Sequence, residues 1–150
     1  MRGEPGMTDA TRSAAGSPIR LAARFARVRE AHQSELAEDY VEMIDDLIAA
    51  RGEARAADLA DCFGVSAGTV ARTVQRLIRD GLVNSEPYRS IFLTPLGKRL
   101  AEDSRARHRL VRDFLLALGV SAEAAELDAE GIEHHVGPET LAAFSAYLER

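Results

Sequence analysis

At 150 residues and 46% hydrophobic content the chain can bury a real core as one compact unit or two small lobes. Aromatic residues make up 5% and Trp is absent, which favours helix over sheet, and no stretch approaches the roughly 20 apolar residues of a membrane span, so a cytoplasmic protein is expected. The formal net charge of -5 does not exclude a nucleic-acid partner, because residues 51–99 carry eight bases against five acids (+3) while residues 121–150 carry one against seven (−6).

Residues 1–22 are rich in Gly, Ser, Pro, Thr and Ala without periodicity and read as a disordered arm. Leu36, Tyr40, Met43, Ile44, Leu47 and Ile48 then recur at three and four residues, predicting an amphipathic helix that ends near Gly52. Asp39 borders that apolar stripe, and Glu42 lies three residues further on. The single cysteine, Cys62, excludes an internal disulfide and reads as a small buried hydrophobe in a reducing compartment.

From Ala56 a short helix runs to Phe63, breaks at Gly64-Val65-Ser66, and gives way to a second helix carrying Val70, Val74, Leu77 and Ile78 up to Gly81. This is a helix-turn-helix layout, with Ser66 placed to cap the second helix. Leu82-Val83 and Ile91–Thr94 predict two short strands around Pro87-Tyr88-Arg89-Ser90, a winged hairpin. Thr69, Arg72, Thr73 and Arg76 are expected on the exposed side of the second helix. Arg72 and Arg76 would reach guanine edges or phosphates of duplex DNA, Ser66 and Thr69 the sugar–phosphate backbone, and Arg89 a minor groove or a phosphate.

Pro95 opens a long helix with Leu96, Leu100, Val111, Phe114, Leu115 and Leu118 as its apolar positions, and His108 falls on the inward line. Ser121 caps a further helix expected to reach Val136, and Gly137-Pro138 starts a last one with Leu141, Phe144 and Leu148 spaced for burial. Glu130, Glu133 and His134 stand at i, i+3 and i+4, so one helical turn can aim two carboxylates and an imidazole at a single point. Three donors fall short of the six or so that hard divalent ions take, and Asp39, Glu42 and His108 are the available supply. An inward cluster of four carboxylates would loosen or protonate without cations, which makes a divalent metal the natural counter-charge.

The stretches ELAEDYVEMIDDLI, LADCFGVSAGTVARTVQRLIRDGLV, YRSIFLT and above all DAEGIEHHV resemble the manganese-sensing branch of the diphtheria toxin repressor family of metal-dependent transcriptional regulators, over residues 35–150. The resemblance places the family's metal ligands on Asp39, Glu42, His108, Glu130, Glu133 and His134, and implies a pair of Mn²⁺ ions per chain with Glu42 and Glu133 bridging. Iron-sensing relatives carry Cys where this chain has Glu130, and oxygen donors there suit Mn²⁺. Gly68 stands where relatives often have Pro and Ser90 where a Gly is common, departures that bear on the operator sequence. The implied protein is a non-enzymatic repressor of manganese uptake genes. It would be mostly α, with a disordered arm at 1–22, a winged helix-turn-helix at 23–94, and an all-α metal-binding and dimerisation half at 95–150. It would bind a pseudo-palindromic DNA operator as a homodimer, with no small-molecule substrate. An iron or zinc sensor on the same scaffold, and a di-metal carboxylate enzyme, are the alternatives.

Overall fold

The computed structural model describes residues 18–86 and 90–150. Six helices and one hairpin follow in the order α1 (Pro18–Arg51), α2 (Ala56–Phe63), α3 (Ala67–Arg79), β1 (Val83–Ser85), β2 (Ile91–Leu93), α4 (Pro95–Ala117), α5 (Ala122–Ile132) and α6 (Pro138–Leu148). The mostly helical, winged helix-turn-helix architecture read from the sequence is therefore the one observed.

The N-terminal half is organised by apolar side chains that α1 presents to α2 and α3. Tyr40, Val41, Ile44 and Leu47 of α1 pack with Leu59, Val70, Val74, Leu77, Leu82, Val83 and Ile91 in one continuous core. Tyr40 stacks on Phe63 with ring centroids 4.5 Å apart. Gly64, at φ 64°, closes α2 in the left-handed region that a residue with a Cβ resists, and this turn lets α3 cross α2. Ser66 caps α3 by accepting from the Thr69 N–H at 3.2 Å. The wing is an antiparallel pair in register Val83↔Leu93, extended by the Ile91 N–H donating to the Ala54 carbonyl at 2.8 Å.

Helix α4 leaves the wing at a tight junction. Thr94 Oγ1 donates to the Gly81 carbonyl at 2.6 Å and accepts from the Gly97 N–H at 3.1 Å, while the Thr94 N–H donates to the Leu82 carbonyl at 3.0 Å. Beyond it, α4 packs along α1 and carries α5 and α6 on its far end, where Phe114 stacks on Phe144 at 3.9 Å and meets Tyr147 edge-on.

Several sequence expectations are corrected. Residues 18–22 belong to α1, because Ala, Leu and Arg are strong helix formers and an exposed helix needs no burial periodicity; residues 1–17 and 87–89, Arg89 among them, lie outside the described residues. Cys62 is exposed, since Leu59 and Phe63 take the inward line of α2. Leu36 is 42% exposed, so the buried stripe of α1 begins at Ala37 and Tyr40; Leu96 and Leu118 are also exposed, and the inward line of α4 is Gly97, Ala101, Ser104 and Val111. Helix α5 ends at Ile132 rather than near Val136. Its ladder tightens there into a turn in which the His135 N–H donates to the Ile132 carbonyl, ahead of Pro138, which has no N–H to give.

At Gly97 a Cβ would lie 2.0 Å from the Leu82 carbonyl oxygen, a backbone atom that cannot swing aside. Gly97→Ala is expected to lower stability by about 3 kcal/mol, the upper end of overpacking costs. Gly131→Ala, with open space around it, should be neutral or mildly stabilising, as Ala replaces Gly in a helix. Thermal unfolding of both variants by circular dichroism checks the contrast.

Candidate metal centre and DNA-reading face

Carboxylates and imidazoles from α1, α4 and the end of α5 converge beside the α1–α4 seam. Glu133 is the centre of the arrangement. Its side chain is 2% exposed, and it places Oε2 2.6 Å from His108 Nδ1 and Oε1 3.2 Å from His134 Nε2, so one carboxylate spans both rings. Around His134, Asp39 Oδ1 lies 3.5 Å from Nε2, and Glu35, Asp39 and His134 each offer a ligand atom within 4.8 Å of the others. Around His108, Glu130 Oε1 lies 3.6 Å from Nδ1 and Glu126 Oε1 2.6 Å from Nε2; His108, Glu126 and Glu130 form a second such trio.

Five of the six sequence-selected donors thus meet in two adjoining groups joined by Glu133. The sixth, Glu42, belongs to neither trio. It accepts a hydrogen bond from Ser104 Oγ on α4, and its charge reaches Asp39.

Sequence reasoning missed four contributors. Glu38, buried on α1, holds His134 Nδ1 at 2.6 Å, which fixes the ring and leaves Nε2 facing Asp39 and Glu133. Arg107 Nη2 approaches Glu38 Oε1 to 2.5 Å, a charge contact too poorly aligned to count as a hydrogen bond, and its Nε is buried with no acceptor. Glu35 and Glu126 sit four residues before Asp39 and Glu130, a same-face spacing that was available to find them. No spacing links Glu38 to Arg107, 69 positions later in the chain.

The electrostatics are those of too many carboxylates for the positive charge at hand. Burial pushes Asp39 up to about 6, opposed by His134 and assisted by Glu35, Glu42 and Glu130. Burial likewise pushes Glu133 up to about 7, against the pull of both histidines. Burial alone would lower His108, but its hydrogen bonds to Glu126 and Glu133 and the charges of Glu133 and Glu130 leave it raised. His134 is raised in the same way, by Glu38, Asp39 and Glu133. Glu38 is the exception: its contacts with His134 and Arg107 outweigh its burial and hold it below the usual carboxylate range. A divalent cation would supply the missing charge, and the donor set, mostly carboxylate oxygen with two imidazoles, fits a hard first-row dication.

On the DNA-reading face, Arg72 is exposed and Arg76 partly exposed, and Arg72 Nη2 donates to Thr69 Oγ1 at 3.3 Å. Ser66 and Thr69 stand at the start of α3 with their hydroxyls 3.0 Å apart. Thr73 is a correction. It is only 9% exposed, and its hydroxyl is satisfied by donating back to the Thr69 carbonyl at 3.0 Å, so it lies against its own helix rather than on the exposed side.

A winged helix-turn-helix joined to a carboxylate and imidazole cluster defines the class of metal-dependent transcriptional regulators. The description "Iron dependent repressor, N-terminal DNA binding domain" matches residues 32–91, and "Iron dependent repressor, metal binding and dimerisation domain" matches residues 94–150. The transcriptional regulator MntR of Salmonella typhimurium is 54% identical over 126 residues, covering 84% of this chain and 80% of that protein. The HTH-type transcriptional regulator MntR of Lysinibacillus sphaericus is 42% identical over 99 residues, covering 66% and 71%. Among solved structures, a manganese-dependent transcriptional repressor in complex with manganese superposes with a TM-score of 0.63 at 32% identity over 75% of this chain, and the manganese regulator SloR with 0.64 at 28% over 75%. The chain spans about half the length of those two structures, 52% and 53%. The chain belongs to the iron-dependent repressor family, and within it to the MntR type of diphtheria toxin repressor-like regulator.

The raised groups fix the sign of a pH effect. Between about pH 4 and 7 the metal-free fold keeps protons on Asp39 and Glu133 that the unfolded chain has already released, so their contribution to stability falls as pH rises. The raised histidines act in the same direction, being stabilising below their unfolded value and losing that contribution as pH climbs through their folded one. Lowered Glu38 acts oppositely, but only at acid pH below this window. In chelator the melting temperature should therefore be several degrees lower at pH 8 than at pH 5.5, and Glu133→Gln should flatten that slope. A metal-free protein that grows steadily more stable towards pH 8 would contradict the reading.

Proposed function

We infer that this protein is a manganese(II)-responsive DNA-binding transcriptional repressor that holds two Mn²⁺ ions per chain through Asp39, Glu42, His108, Glu130, Glu133 and His134. The observation that carries the metal reading is Glu133, buried between two imidazoles with one oxygen turned to each. That geometry supports a bridging role for Glu133, with His108 serving one ion and His134 the other. Glu42 would complete the set by turning from Ser104 towards Asp39.

Bound there, the ions would supply the positive charge that the cluster lacks. The chain's own side chains do the rest. Glu38 presents His134 in a fixed orientation, Arg107 compensates Glu38, and Asp39 and Glu42 project from the same α1 whose Tyr40, Val41 and Ile44 form the core of the reading head. With protons gone and cations present, α1, α4 and the α5 end share one set of contacts, and the DNA-competent orientation is selected from a looser metal-free ensemble.

Manganese is favoured over iron or zinc by the oxygen donor at Glu130 and by the manganese in the names of two similar solved structures. A di-metal enzyme is disfavoured because the matched relatives are named as regulators. The family's metal binding and dimerisation domain supports a homodimer, which would read a pseudo-palindromic duplex operator with Ser66, Thr69, Arg72, Arg76 and the wing residue Arg89. No helix among the described residues is long and apolar enough to cross a membrane, and a repressor of manganese uptake genes would work in the cytoplasm.

The test uses a duplex selected from random sequence by the Mn²⁺-loaded protein, followed by fluorescence anisotropy. Mn²⁺ should tighten binding roughly 5–150-fold over chelator, and equal binding in both would sink the proposal. Calorimetric titration should count two Mn²⁺ per chain, falling in a Glu130→Ala, His134→Ala variant. Arg72→Ala should cost about 1–3 kcal/mol of operator affinity while leaving the metal count unchanged.

A further inference from the structure

Glu126 lies outside the six proposed ligands, yet it touches the ring of one of them. It stands four residues before Glu130 and seven before Glu133, so α5 and its C-terminal turn present the three on one face. Arg112 stands four residues after His108 on α4, again a same-face spacing. Where the helices meet, His108 Nε2 lies 2.6 Å from Glu126 Oε1. Arg112 Nη1 approaches Glu126 Oε2 to 3.8 Å, while its Nε and Nη2 hold Asp113.

Both imidazoles of the centre are gripped from two sides in the same pattern. His134 turns Nε2 to Glu133 and Nδ1 to Glu38, with Arg107 beside that carboxylate. His108 turns Nδ1 to Glu133 and Nε2 to Glu126, with Arg112 beside that one. The two outer carboxylates differ in their surroundings, since the Glu38 side chain is 8% exposed and that of Glu126 54%. The orientation of His134 is thus set from inside the fold, and that of His108 from its surface.

A neutral imidazole carries one proton and offers an ion only the nitrogen that lacks it. The hydrogen bond made by the other nitrogen decides which one that is. Glu133 alone would draw the proton to Nδ1, the nitrogen that an ion shared with Glu133 must use. A carboxylate can only accept, so Glu126 opposes this pull by keeping a proton on Nε2. The two ring nitrogens point apart, which puts Glu126 on the other side of the ring from an ion held at Nδ1 near Glu130 and Glu133.

We propose that Glu126 is a positioning residue of the metal centre, which holds the His108 Nε2 proton and thereby aims Nδ1 at the ion. The proposal rests on His108 being a ligand, as inferred above, and adds a residue that acts on the ion only through that ring. An outer hydrogen bond of this kind also makes the imidazole a stronger donor. One face of α5 would then supply both a ligand, Glu130, 3.6 Å from Nδ1, and the group that aims the ring beside it.

The experiment compares the full chain with Glu126→Gln and Glu126→Ala. Glutamine keeps a carbonyl oxygen that can accept from Nε2–H but is a weaker ligand than a carboxylate for a hard ion, and alanine offers neither property. In calorimetric titration Glu126→Ala should weaken Mn²⁺ binding about 10–100-fold, and Glu126→Gln should restore most of the loss. Nitrogen-15 NMR of the metal-free chain at alkaline pH gives a second readout. The His108 ring proton is expected on Nε2 in wild type and Glu126→Gln, and on Nδ1 in Glu126→Ala. Wild-type affinity together with an unmoved ring proton in Glu126→Ala would overturn the proposal, as would a wild-type proton on Nδ1. A Glu126→Gln variant as weak as Glu126→Ala, with its proton still on Nε2, would overturn it too, by making Glu126 a ligand in its own right. Absence of Mn²⁺ binding in wild type would sink the proposed function, and the NMR comparison would still decide whether Glu126 sets the ring.

Discussion

A carboxylate held between two imidazoles, Glu133 between His108 and His134, is the interaction on which the regulatory half depends. A buried acid at that point is unstable as a bare charge. It must share protons with its neighbours or share cations with them, and burial raises Asp39 and Glu133 in the direction that the first solution requires. Glu38 and Arg107 contribute a different kind of order. They form a charged chain, Arg107 to Glu38 to His134, that holds the imidazole in place whether or not the acids around it are ionised.

Helix α1 makes this local electrostatic problem a property of the whole molecule. At 34 residues it extends about 50 Å. One line of it, through Tyr40, Val41, Ile44 and Leu47, is the spine of the winged helix, and an adjoining line carries Glu35, Glu38, Asp39 and Glu42. Both lines run along one continuous helix. The reading head is locally basic and the C-terminal helices acidic, a division that the net charge of -5 conceals.

Much of this was legible in the sequence because the informative features are periodic. The three-and-four spacing of Tyr40, Ile44 and Leu47, the Gly64 turn with its Ser66 cap, and the cluster Glu130-Glu133-His134 each encode geometry over a few residues. What spacing could not supply was orientation between elements. Thr73 was misplaced because a threonine can satisfy its hydroxyl on the preceding helical turn and so tolerate burial. Cys62 was misplaced because an eight-residue helix has room for only one inward line, and Leu59 and Phe63 occupy it. Glu126 and Glu35 carried a readable same-face signal, whereas the pairing of Glu38 with Arg107 arises only when α1 lies against α4. The expected length of α5 failed at its C-terminal end, where a tightened turn, rather than a continued helix, delivers Glu133 and His134.

The junction at Thr94 carries a mechanical consequence. The Gly81 and Leu82 carbonyls, which directly follow the recognition helix, are the same ones that anchor Thr94 and leave no space beyond the Cα of Gly97. The base of α4 is thereby keyed into the exit of α3, bypassing the hairpin that separates them in sequence. Any tilt of α4 is handed to α3 as though the two helices were arms of one bracket, so the far end of the α4 lever and the exposed face of α3 move as one piece.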